Sequence, residues 1–130
     1  MVDYIFENFE YFQPSSHKSG DCAIRAVAKA INKTWYQTFD ELVLIARKMQ
    51  LMPNDTKVVG ALLKQYGFEW VPIKVERGST RPIVADFAKL HEETCVLRVS
   101  HHLTSCGKGK YYDIWDCGNS SLYGYWIKRK

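Results

Sequence analysis

Apolar residues at helical spacing occupy most of the chain up to about His91, and aromatic and β-branched segments take over from Thr94. That switch from a period of 3.6 to a period of two constrains the fold more than any other feature. Helices first and strands later give an α+β class, with the helices packed on an antiparallel sheet. The abrupt start of helical spacing at Asp21 is its sharpest part. Ile24, Val27, Ala28 and Ile31 recur along one face, with alanines between them. A helix so rich in small residues can be approached closely from several sides, so it is expected at the centre of the fold. Ser19 or Asp21 is its expected cap, which places Cys22 in the first turn.

A second helix is expected over about Thr38 to Gln50, burying Phe39, Leu42, Val43, Ala46 and Met49. Pro53-Asn54-Asp55 then breaks the pattern and offers a new cap. Val58, Val59, Leu62, Leu63 and Tyr66 define a third helix ended by Gly67. Phe68 to Lys74 reads as a strand. Pro82 to His91 reads as a short helix with Phe87 and Leu90 inward. Thr94–Thr104, Lys110–Asp116 and Leu122–Lys128 then form an expected meander, separated by glycine-bearing turns. Ahead of all this, Tyr4 to Phe12 is aromatic and acidic, and Ser15 to Gly20 is a polar loop. The 130 residues are expected to form one domain without repeats.

Composition removes several classes of function. The net charge is only +4, and the basic residues are scattered except for the terminal Lys128-Arg129-Lys130. Nucleic-acid readers concentrate such charge on one face, so no nucleic-acid partner is expected. No run of about 18 apolar residues offers a membrane span. The acidic start, Met1 to Glu7, does not read as a secretory signal, so a cytoplasmic location is expected. Cys22, Cys95, Cys106 and Cys117 are then thiols by default. Cys106, Cys117 and His101 match no tight zinc spacing, so neither a metal nor a cofactor is expected.

Chemistry concentrates at Gly20-Asp21-Cys22-Ala23-Ile24-Arg25-Ala26. A thiol in the first turn of a buried helix faces the positive end of the helix dipole and unpaired backbone amides. Both favour a thiolate, and the amides supply donors for an oxyanion. A cysteine nucleophile also needs a base and a group that orients the base. His17, His91, His101 and His102 are the available imidazoles. Counting by twos from Val99 and Leu97 favours His101 on the helix side of the sheet. Hairpin arithmetic leaves two registers open. A Gly107-Lys108 turn sets His102 opposite Asp113, and a Lys108-Gly109 turn sets His101 opposite Asp116. Either places a carboxylate beside a histidine.

The order of cysteine, histidine and aspartate on a helix followed by a hairpin resembles the papain-like cysteine peptidase superfamily. It looks closest to the small bacterial branch that includes the bacteriocin-processing (double-glycine) peptidases. The residues that carry the resemblance are Gly20-Asp21-Cys22, His102-Leu103-Thr104 and Tyr111 to Asp116. The resemblance implies a minimal papain-like fold in which Cys22 is the nucleophile, His102 the base and Asp113 the orienting acid, with His101 and Asp116 as alternates. It further implies an oxyanion donor upstream of the cysteine. Ser16 stands at the usual offset for that glutamine, which leaves Gln13 as the candidate. Eighty residues separate Cys22 from His102, against about 130 or more in full-length papain-like enzymes. The implied activity is hydrolysis of an amide bond in a peptide or protein. A deamidase or acyltransferase on the same triad, and a silent binding module on the same scaffold, are the alternatives.

Overall fold

The computed structural model describes residues 4–6 and 21–128. In chain order these form β1 (Tyr4–Phe6), α1 (Cys22–Ile31), α2 (Trp35–Met49), α3 (Thr56–Gln65), β2 (Phe68–Pro72), α4 (Val84–Lys89), β3 (Cys95–Val99), β4 (His102–Gly107), β5 (Lys110–Asp113) and β6 (Leu122–Lys128). The class is α+β: four helices and one six-stranded mixed sheet among the described residues.

Local chemistry sets the helix limits. Before α2, the Thr34 hydroxyl accepts from the Gln37 amide and the Gln37 side chain accepts from the Thr34 amide, both at 3.0 Å. This reciprocal box satisfies two amides that the helix leaves free, and it starts α2 at Trp35 rather than Thr38. Asp55 caps α3 by accepting from the Lys57 amide at 2.8 Å. Asp21 is the N-cap of α1 but makes no capping bond with its side chain. That carboxylate is turned to Arg25 instead. Helices α1 and α2 both end on left-handed residues, Asn32 and Gln50, each with φ of 58°.

The strands run in the order β1-β5-β4-β3-β6-β2. Strand β1 lies parallel to β5, and every other neighbouring pair is antiparallel. The expected meander therefore holds only for β3-β4-β5. After β5 the chain crosses back to place β6 on the far side of β3. The single strand expected over Thr94–Thr104 is two strands, folded at Ser100-His101, where His101 takes φ of 55°. Val99 and His102 close that hairpin as Cα partners.

Both faces of the sheet are covered. Val96, Leu103 and Trp126 pack with Ile24 and Val27 of α1 and with Leu62 and Leu63 of α3. Leu97, Val99 and Ile127 pack on the other side with Val84 and Phe87 of α4. Neighbours along β3 thus enter different clusters, as alternation requires. Helix α1 contacts α2, α3 and strands β3, β4 and β5, the central position its alanines predict. Two residues expected inside are not. Leu90 is 82% exposed, because α4 ends at Lys89, and Met49 is 40% exposed in the last turn of α2. No helix among the described residues is long and apolar enough to cross a membrane.

Candidate active site

Cys22 is the first residue of α1 and is half-buried. The amides of the first turn have no acceptor within the helix, so they surround the sulfur with positive partial charge. Leu103 of β4 packs in the same cluster as Cys22. The β3–β4 turn thereby brings His102 to the helix start. Cys22, the turn residues Ser100 and His101, and His102 share one open cavity of about 550 Å³.

His102 is held by Asp113. Its Nε2 donates to Asp113 Oδ2 at 2.6 Å. The hairpin register explains how the two meet. Ser105 pairs with Tyr112 and Gly107 with Lys110, around a Lys108-Gly109 turn with both residues left-handed. This is the register expected to join His101 to Asp116. Continued along the strands, it sets Thr104 opposite Asp113, with His102 two residues further along the same face. The histidine and aspartate therefore meet diagonally, within reach of a long side chain. His101 stays exposed in the turn and lines the cavity. Asp116 accepts from the Tyr111 hydroxyl at 2.5 Å and from the Gly118 amide at 2.9 Å. His91 lies on the opposite side of the sheet, stacked on Phe87, and its Nδ1 donates to the Phe87 carbonyl at 2.8 Å. His17 and Gln13, with Ser15 to Gly20, lie outside the described residues.

The surroundings push the two central groups toward charge. Burial raises the Cys22 thiol. A hydrogen bond with His102, another from the Leu103 backbone and the positive charges of His102 and Arg25 outweigh it, and the net shift is downward. Burial lowers His102, but hydrogen bonds with Asp113, Cys117 and Cys22 push it up to about 11. Asp113 is raised by burial and lowered more strongly by His102, Thr104 and the Ile114 amide, so it stays ionised. With Nε2 given to Asp113, Nδ1 is the nitrogen left for the Cys22 thiol. The combined effect favours a thiolate beside an imidazolium.

Sequence reading passed over three neighbours. Arg25, one turn into α1, is buried and ion-paired to Asp21, and its Nη2 lies 3.6 Å from Asp113 Oδ1. Its signal was an i, i+4 acid–base pair in a helix otherwise apolar and small. Cys117, buried behind the site, donates to Asp113 Oδ2 at 3.6 Å. Trp115 is 47% exposed, and its ring centre lies 4.9 Å from that of His102. His102, Asp113 and Cys117 also hold ligand atoms within 4.8 Å of one another, so this trio has the donors a zinc ion takes. Hydrogen bonds already join these atoms pairwise through Asp113 Oδ2. Compared with known proteins, the chain matches no family model, no curated sequence and no solved structure.

Proposed function

We propose that this protein is a cysteine hydrolase of minimal papain-like fold that opens an amide bond in a peptide or protein, with Cys22, His102 and Asp113 as its triad. The supporting observation is a single imidazole that meets a carboxylate at 2.6 Å and lines one open cavity with a thiol at a helix N-terminus. In this reading Cys22 thiolate attacks the carbonyl carbon, and the carbonyl π pair moves to oxygen. The Cys22 backbone amide, which has no acceptor within α1, donates to that oxyanion. Collapse of the intermediate breaks the C–N bond, and the proton on His102 goes to the leaving amine. Part of what holds that proton is the thiolate itself. Forming the thioester removes that charge, so the imidazolium becomes a better acid when the amine needs a proton. Water then gives a proton to neutral His102 and attacks the thioester, releasing the acid and Cys22. Asp113 keeps the ring oriented throughout, with the Arg25 guanidinium 3.6 Å from its other oxygen. Four unpaired thiols favour a reducing, cytoplasmic setting for this chemistry.

The test uses an activated ester. With p-nitrophenyl acetate, the reading predicts a burst of nitrophenolate stoichiometric with protein and an acetyl group on Cys22 by mass spectrometry. Cys22→Ala should abolish the burst, and His102→Ala should slow it about a hundredfold. Acetylation spread over surface lysines, with no burst, would exclude the reading.

A further inference from the structure

The cavity at Cys22 does not end at the thiol. A second cavity of about 290 Å³ adjoins it, and the two share Thr56 and Arg98 as lining residues. Lys57, Gly60, Trp70 and Trp126 also line the second one. Arg98 sits in β3 between Leu97 and Val99, both of which pack on the α4 side, so alternation turns it to the side of α1 and α3. Its side chain is exposed there. Among the described residues, the Arg98 side chain makes no ion pair and no hydrogen bond. Among the described residues, no aspartate or glutamate lines either cavity. The acid closest in sequence to Thr56 and Lys57 is Asp55, and its carboxylate is turned into α3 to accept from the Lys57 amide. Among the described residues, the groove therefore presents two cations, Arg98 and Lys57, without a counter-anion.

Beyond the arginine the wall is aromatic. The Trp70 and Trp126 rings lie 4.6 Å apart, and Trp70 is 40% exposed. Trp70 lies across Gly124, where an added Cβ would come within 2.2 Å of the indole. Only glycine at that position leaves room for the ring, so the sheet is shaped to display a flat apolar surface next to a guanidinium.

We propose that the substrate carries an acidic side chain close to the amide that is opened, its carboxylate held by Arg98, with an apolar neighbour lying on Trp70. This rests on the cysteine-hydrolase reading and adds a substrate class to it. Arg supports the assignment chemically, because its planar fork matches a carboxylate with two parallel hydrogen bonds. Lys57 adds charge without that geometry.

Tripeptide chloromethyl ketones test the proposal, with glutamate or glutamine placed in turn at each position and alkylation of Cys22 followed by mass spectrometry. At one position the glutamate reagent should react about fivefold faster than its glutamine counterpart, the size of one partly exposed ion pair. Arg98→Gln should erase that ratio and Arg98→Glu should invert it, each ratio being taken within one variant so that any common change in thiol reactivity cancels. Arg98 is on the surface, so circular dichroism should show both variants folded. If Cys22 alkylation by iodoacetamide near pH 6 depends on His102 while glutamate and glutamine reagents react alike, or the ratio survives in Arg98→Gln, the acidic preference is wrong and the hydrolase reading stands. If neither iodoacetamide nor any peptide reagent reacts selectively at Cys22, both fall.

Discussion

At the scale of single residues, the buried charges around Asp113 are the least replaceable part of the molecule. Arg25 is 5% exposed, Asp21 4% and Asp113 3%, so the three share one low-dielectric site. Removing the cation leaves two carboxylates buried together without it. Arg25→Met should therefore destabilise the fold by about 3 kcal/mol in urea unfolding. An unchanged midpoint would mean that the charges are better solvated than their burial indicates. Asp113→Asn separates orientation from charge, since the amide keeps the shape but cannot hold an imidazolium. It should slow acylation of Cys22 about a hundredfold or more, while far-ultraviolet circular dichroism stays unchanged. Equal burst rates for wild type and Asp113→Asn would remove Asp113 from the proposed triad.

Secondary-structure elements show what a sequence can and cannot convey. Helix α3 was legible because it carries one unbroken period between clear stops, Asp55 and Gly67. Strand β6 was legible because Leu122–Lys128 is an aromatic and apolar run set off by the Gly118-Asn119-Ser120 turn. The fold at Ser100-His101 was not legible. Val-Ser-His-His-Leu carries no glycine, proline, asparagine or aspartate, and the turn depends on a histidine in the left-handed region. Parity counted through that hidden turn favoured His101, and the resemblance to papain-like enzymes favoured His102. It is His102 that lies against Asp113. The β4–β5 register was equally hidden, since Gly107 and Gly109 offer competing turns. Left-handed φ at both Lys108 and Gly109 fits the paired strands' twist and decides between them. Helix α2 started earlier than expected because Thr34 and Gln37 form a box that apolar spacing does not report. Thr34→Ala should cost about 1 kcal/mol, measured as a lower urea midpoint with the same m-value. A loss within error would mean that water replaces the cap.

For the molecule as a whole, the site joins the helix layer to the sheet, so its protonation contributes to stability. The imidazole of His102 rises from 6.5 to about 11 on folding. A raised pKa stabilises fully below the unfolded value and is lost as pH climbs through the folded one. Asp113 shifts the other way, below 3.8, so its share is present above that value and lost as pH falls through its depressed pKa. The stability advantage of wild type over His102→Ala should be greatest between about pH 4 and 6.5. It should shrink steadily on the alkaline side, partly offset by Cys22, whose depressed pKa contributes most above 9. Urea unfolding of both proteins across pH reads this difference, and a gap that widens toward pH 9 would reverse the assigned sign.

The central claim is that His102 makes Cys22 a thiolate, and reactivity against pH measures that directly. The other three cysteines are buried, so selective labelling alone could reflect exposure. The rate of Cys22 alkylation by iodoacetamide should instead be followed from pH 5 to 10 in wild type and in His102→Ala. The account predicts that wild type is already reactive near pH 6, at least tenfold above the variant, and that the variant gains reactivity only toward the ordinary thiol pKa. Coincident profiles rising together above pH 8 would contradict it.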